Sequence, residues 1–442
     1  MAKKKQIEFT IEEKLQNTLV PKEEQPYKIP SNWCWTYIHN IAIVVTGKTP
    51  SKKNKEYYGG KFPFFKPADL DAGRNMQYAT EYLSEKGKSI SVIIPEKATG
   101  ICCIGTIGKC GYFLVEGTTN QQINTVISKI NPLYSYYFFN TNSFVRELIS
   151  KASATTIAIV NKSKLESCLF PVAPLKEQQR IVNRIESLFA KLDRAKELIE
   201  NTLAQFEQNK MAILHKAFTG ELTVKWRKEN NINEKKFFNK VKLKNVIKLI
   251  SGRDVSVSLC NDKSIGIPYI LGASNIKDNK FFIERWIENP VVVSEKNDIL
   301  LSVKGTIGKL YLQKEEKINI SRQIMALRAL NDLNTHYLYY FLLRECERLK
   351  FEGNGLIPGI SRKDILDLNI LLPTLEEQQE IVNILDKLLA KYNKIKNLEQ
   401  QLEKIELLKK AILAKAFRGE LGTNNPDEES AENLLKEILA EK

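Results

Sequence analysis

The chain carries one long stretch twice. "KEQQRIVNRIESLFAK" (Lys176–Lys191) returns as "EEQQEIVNILDKLLAK" (Glu376–Lys391). At an offset of 200, nine of the sixteen positions from Glu177 to Leu192 are identical. Further on, "KMAILHKAFTGEL" (Lys210–Leu222) returns as "KKAILAKAFRGEL" (Lys409–Leu421), with ten of thirteen identical at an offset of 199. A fold must therefore place two copies of the same element, with unlike material between them.

Both copies read as helix. In the second, Ile381, Leu385, Leu388, Tyr392, Ile395, Leu398, Leu402, Ile405, Leu408 and Ile412 step by threes and fours. That is a continuous apolar stripe of coiled-coil type. The first gives Ile181, Ile185, Leu188, Leu192, Ala195, Ile199, Leu203, Phe206, Ile213 and Ala217, in threes and fours but for one step of seven from Phe206 to Ile213, and the one-residue change of offset falls near Leu198–Leu203. Thr374 and Glu377 have capping-box spacing, and Pro174 precedes the first helix. Gly220 and Gly419 stand where a C′ glycine would end each helix. From Glu177 to Phe218 such a helix is about 60 Å long, at roughly 1.5 Å per residue. Neither helix can bury so narrow a stripe alone, so the two are expected to pair, antiparallel.

Two blocks, about 27–170 and 237–370, hold short apolar runs such as "SVIIP" and "DILLSV" and read as mixed α/β. They share a fainter likeness. "GTIGK" occurs at Gly105–Lys109 and Gly305–Lys309, "NQQINTVI" (Asn120–Ile127) parallels "SRQIMALR" (Ser321–Arg328), and "YYF" occurs at Tyr136–Phe138 and Tyr339–Phe341. The chain is thus expected to be a pseudo-twofold tandem repeat of globular domain plus long helix. The expected segments are a polar, part-helical 1–26, a domain at 27–170, a helix at 171–226, a second domain with its lead-in at 227–370, a helix at 371–423, and a linker with a short helix at 424–442.

The formal net charge of +15 favours an anionic partner, nucleic acid being the commonest. It also fits plain solubility in a lysine-rich setting. No run of 18 apolar residues occurs, and the charged N-terminus lacks an apolar stretch behind it, so a cytoplasmic location is expected. Seven cysteines, odd in number and without a C-x-x-C pair, argue against a disulfide frame or a zinc site. His39, His215 and His336 are scattered and read as ordinary histidines.

"GTIGK" is not a phosphate loop. Cys103 and Val303 stand where the first glycine of the Walker pattern belongs, and Cys110 and Leu310 where Ser or Thr belongs. A glycine-cornered turn between strands is the simpler reading; a turn whose N–H groups and lysine approach a DNA phosphate is the functional one. "NPLY" at Asn131–Tyr134 lacks the second proline of an adenine-methyltransferase motif, so Asn131 and Asn334 read better as helix N-caps. No dinucleotide loop, metal-carboxylate set or Ser/His/Asp set stands out. The sequence argues against independent catalysis.

"PLKEQQRIV…KAFTGEL" and "PTLEEQQEIV…KAFRGEL" resemble the two helical conserved regions of the specificity subunit of type I restriction–modification enzymes. "IPSNWCW" (Ile29–Trp35) leading to "TGKTPS" (Thr46–Ser51) resembles that family's lead-in to its first target-recognition domain; the second lead-in lacks the usual tryptophan, though Trp226 stands earlier. The resemblance covers nearly the whole chain. It implies two target-recognition domains separated by an antiparallel two-helix spacer, double-stranded DNA as ligand, and no cofactor in this chain. It further implies two copies of a DNA adenine methyltransferase subunit carrying S-adenosylmethionine, which restriction subunits with ATP and Mg can join.

Residue type and loop position then pick DNA contacts. In the first domain these are Lys48, Thr49, Ser51, Lys52, Lys53, Thr106, Lys109, Asn120 and Gln121. In the second they are Arg253, Ser274, Asn275, Thr306, Lys309, Ser321 and Arg322. Lysines would meet phosphates; Asn, Gln and Arg could read base edges. For partner docking the repeated signatures offer Glu177, Gln178, Gln179, Phe218 and Glu221, and Glu377, Gln378, Gln379, Phe417 and Glu420. Phe218 and Phe417 also read as helix-packing core. The competing reading is a coiled-coil scaffold that joins partners without reading DNA.

Overall fold

A computed structural model of the protein describes residues 10–153, 158–232, 239–277, 280–352, 359–393 and 396–441. The side chain of Tyr392, all of Ile395, and residues 1–9 of the polar N-terminal segment lie outside the described residues. The chain divides into two compact units. Unit 1 joins Met1–Leu198 with Gln400–Lys442, and unit 2 is Ile199–Glu399. Each therefore holds one globular domain and a length of both repeated helices.

Unit 1 is built on a four-stranded antiparallel sheet in the order Ala42–Thr46, Ile123–Ser128, Thr99–Cys102, Cys110–Tyr112. Val44 pairs with Val126, which pairs in turn with Thr99. A smaller sheet sets Tyr58–Phe65 parallel to Thr118–Thr119. Cys34–Tyr37 pairs antiparallel with Leu169–Val172, tying the start of the domain to its end. Unit 2 repeats the plan with Ile247–Ser251, Ile324–Ala329, Ile299–Ser302 and Leu310–Leu312, and closes by pairing Asn239–Lys242 with Asn369–Leu372. Its second sheet is larger, five strands against three.

The run "ILLS" at Ile299–Ser302 is buried at every position because both sheet faces are covered. Ile299 and Leu301 point into one core with Tyr337 and Phe341; Leu300 points into another with Tyr311 and Ile320. Helix Pro132–Phe139 starts at Asn131, whose side chain accepts from Leu133 N and Tyr134 N. Asn334 caps Thr335–Glu352 in the same way, accepting from His336 N and Tyr337 N.

The first repeated helix runs from Leu175 to Thr219. The second is described as Leu375–Asn393 and Lys396–Ala416. Gly220 (φ +80°) and Gly419 (φ +74°) follow the two ends in the left-handed region, as the sequence predicts. Inside unit 1, Asp193 bonds to Lys409 at 2.5 Å and Lys196 to Glu406 at 3.5 Å. Numbers rise along one helix and fall along the other, so the pairing is antiparallel. Unit 2 shows the same sense: Thr223 and Arg227, just past the first helix, meet Glu377 near the start of the second. The helices Ile11–Thr18 and Ala431–Ala440 pack on the unit 1 core through Leu15, Leu435 and Leu439.

Candidate nucleic-acid interface

In each unit three loops distant in sequence meet at one turn. In unit 1 the turn is Thr119–Gln122. Gly47 lies against it so closely that a Cβ there would collide with Asn120 O. Lys48 N donates to Thr119 O at 2.9 Å, and Thr49 Oγ1 donates to Gln121 Oε1 at 2.5 Å. The "GTIGK" turn joins through Cys103 N, which donates to Gln122 O at 2.8 Å. Lys48, Ser51, Lys52, Lys53, Thr106 and Gln121 are exposed. Lys109 is half-buried, and its Nζ lies 2.7 Å from Asp71 Oδ1.

Unit 2 repeats the frame with other side chains. Gly252 lies against Ser321 O, where a Cβ would again collide. Arg253 N donates to Ile320 O at 3.0 Å. Asp254 Oδ1 accepts from Arg322 N, and Asp254 Oδ2 lies 2.7 Å from Arg322 Nε. Val303 N donates to Gln323 O at 2.8 Å. Arg253, Ser274, Thr306 and Arg322 are exposed; Lys309 is half-buried, with Nζ on Ile276 O at 3.1 Å.

Three expected DNA contacts are instead committed to the fold. Asn275, 1 % exposed, accepts from Leu271 N and donates to Phe282 O. Ser321 is also 1 % exposed, donates to Leu271 O at 2.6 Å and accepts from Gln323 N at 3.2 Å. Asn120 is buried and bonds twice to Gln122, accepting from its N–H and donating to Oε1. Short polar side chains hydrogen-bond nearby backbone readily, and here they build the turns rather than face out.

The docking residues need a larger correction. Glu177, Gln178, Glu377, Gln378 and Phe417 are wholly buried within this chain, and Phe218 nearly so. Glu177 accepts from Trp33 Nε1 at 2.8 Å and Asn424 Nδ2 at 2.9 Å. Burial pushes its carboxyl up from the usual value, and these two bonds oppose the shift. Glu377 accepts from Thr223 Oγ1 at 2.6 Å and is paired with Arg227, itself buried. Gln178 accepts from Asn131 N and Gln378 from Asn334 N, so each fixes the start of its domain's helix. Phe417 packs on Tyr134 and Phe138, Phe218 on Tyr337 and Phe341. Of the ten, Gln179, Glu221, Gln379 and Glu420 remain exposed. Sequence reasoning missed Trp33 and Arg227 as the partners of the two glutamates. The missing second tryptophan was the available signal: Arg227 does in unit 2 what Trp33 does in unit 1.

Among the described residues, no group of three or more His, Cys, Asp or Glu could hold a metal ion. Six of the seven cysteines are buried, and burial pushes the Cys103 thiol up to about 11. No helix is long and apolar enough to cross a membrane among the described residues.

The family model for the type I restriction modification DNA specificity domain matches residues 30–205 and again 235–407. The chain belongs to this family. As a specificity chain it is a DNA-recognition member of a type I restriction–modification system, and the reading as a scaffold that ignores DNA is set aside. It is 27 % identical to the type I restriction enzyme EcoKI specificity subunit of Escherichia coli K12, over 94 % of this chain and 96 % of that one. It is 26 % identical to the MjaIX specificity subunit of Methanocaldococcus jannaschii, over 90 % and 96 %. In fold it matches a chain from a structural study of assembly and conformational transition of the type I R-M system, with a TM-score of 0.74, 21 % identity and coverage of 90 % and 100 %. The HsdS subunit from Thermoanaerobacter tengcongensis matches with a TM-score of 0.55, 22 % identity and the same coverage.

Proposed function

We propose that each unit of this specificity chain reads one half of a split, asymmetric double-stranded DNA target, and that the chain selects where partner subunits act. The observation that carries this is a substitution of chemistry at one place. The position that holds Thr49 and Gln121 in unit 1 holds Asp254 and Arg322 in unit 2. A glutamine amide matches the N6/N7 edge of adenine, and an arginine fork matches O6/N7 of guanine. The Asp254–Arg322 pair is exposed, so its attraction is weak in water and can be exchanged for a base edge. Lys48, Lys52, Lys53, Arg253 and the half-buried Lys109 and Lys309 supply charge for phosphates; Ser51, Thr106, Ser274 and Thr306 offer hydroxyls beside them.

The partners are two copies of an adenine methyltransferase subunit that brings S-adenosylmethionine and flips the target base. Restriction subunits using ATP and Mg join that complex, in the cytoplasm. Two docking places are supported by a polar ladder present twice. Asn131 donates to Gln179 and Gln179 to Asn183; Asn334 donates to Gln379 and Gln379 to Asn383. Leu175 and Leu375, both about half exposed, stand one turn away on the same helix faces.

The test is methylation-sensitive sequencing of DNA from cells with and without the chain. Methyl-adenine at one split motif, present only with the chain, is expected. Identical patterns, or a palindromic motif, would contradict the proposal.

A further inference from the structure

The two turns differ at most positions that face out, yet one outward residue is the same. "NQQ" in unit 1 and "SRQ" in unit 2 share only their last letter, Gln122 and Gln323. Their backbones are pinned alike. The N–H of Gln122 donates to Asn120 Oδ1 at 3.1 Å and that of Gln323 to Ser321 Oγ at 3.2 Å. Each carbonyl accepts from the strand leading into the "GTIGK" turn, from Cys103 N or Val303 N, both at 2.8 Å. Asn120 and Ser321 thus do one job: they fix the peptide that presents the glutamine.

The glutamine side chains have little to do in the fold itself. Gln323 is exposed, and its amide makes no hydrogen bond among the described residues. It lies between two glycine turns. A Cβ on Gly272 would strike its Oε1, and one on Gly305 would come within 3.9 Å of it. Gln122 is half-buried and accepts from Asn120, with its own NH2 group left unbonded among the described residues. Buried positions that match between repeats are explained by packing. An amide kept in both copies, exposed in one and half-buried in the other, while the two residues before it have changed, is not.

We propose that Gln122 and Gln323 read the one base pair that the two half-sites have in common, an A·T pair recognised through the adenine N6/N7 edge. A primary amide offers the paired donor and acceptor that this edge requires. The surroundings suit DNA rather than a protein partner. Lys48 stands beside the first turn, and Arg253, Lys304 and Arg322, the last paired with Asp254, beside the second. Residues that differ between the units read what differs between the half-sites; Gln122 and Gln323 read what does not. This rests on the two-half reading proposed above.

The test uses the full chain co-produced with its methyltransferase subunit, comparing wild type with Gln122→Ala, Gln323→Ala and the matching Gln→Glu variants by methylation-sensitive sequencing. Gln323→Ala should lower or relax discrimination at a single A·T pair of the second half-motif by about 5- to 150-fold, with the first half still read. Gln122→Ala should do the mirror image, at the same kind of base pair. Continued reading of the untouched half shows that the variant has folded. An unchanged motif in both variants, a uniform loss with no base relaxed, or loss of methyltransferase co-purification would overturn the proposal. A wild-type complex with no split motif would overturn the two-half reading beneath it as well.

Discussion

Thr223 Oγ1 donates to Glu377 Oε1 at 2.6 Å, and Thr423 Oγ1 lies 3.5 Å from Glu177 Oε1. Within each unit, the residue just past one repeated helix closes on the glutamate at the start of the other. The signature most repeated along this chain is therefore a clasp that fixes each domain to its helices.

The unit 2 clasp buries a charge pair, with Arg227 and Glu377 side chains 4 % and 0 % exposed. Removing one partner strands the other, at a cost of about 3–5 kcal/mol. Arg227→Ala should lower the unfolding free energy, read from denaturant curves, by that amount, and Arg227→Met with Glu377→Leu should recover most of it. Equal loss in the single and double variants would contradict the clasp.

Phe417 and Phe218 fill aromatic cores. Truncating either to Ala should cost about 3–5 kcal/mol, measured by chemical unfolding of the isolated chain. A stable variant that merely lost partner binding would return these residues to the docking surface.

Arg180 grips Glu428 with two bonds, of 2.8 and 2.7 Å, and so holds that carboxyl below its usual value; Lys176 adds to the effect. A lowered folded pKa gives stability above the unfolded pKa, near 4.5, that is lost as pH falls through the folded one. Amide protection of the helix Ala431–Ala440 should therefore drop on acidification below about pH 4.5. In Arg180→Ala it should already be low at neutral pH and insensitive through that window. The same profile for both would refute the linkage.

Lys48 and Arg253 hold equivalent places against the two turns. Replacing either by Ala should weaken binding of the whole complex to all sequences alike and lessen the salt slope by about one. A change of motif without a change of slope would contradict a phosphate role.

Much of this was legible in the sequence, because local rules governed it. The threes-and-fours stripe gave the long helices, Asn131 and Asn334 were readable as caps, and Gly220 and Gly419 as stops. Thr374 does accept from Glu377 N, at 3.4 Å, but the Glu377 side chain turns away to Thr223 and Arg227. That is where the reading failed. A helical pattern assigns Glu177, Gln178, Glu377 and Gln378 to solvent, and only tertiary partners about 50 to 250 residues away make their burial tolerable. Asn120, Asn275 and Ser321 misled for the same reason. Residue type marks a side chain able to contact DNA, yet those bonds close the loop instead.

The most direct test of two unlike readers in one chain is an exchange of residues 27–170 for the matching stretch of another specificity chain, in complex with the methyltransferase. Sequencing of methylated DNA should then show one half of the motif replaced and the other half intact. A change in both halves together, or in neither, would contradict two independent readers in one chain.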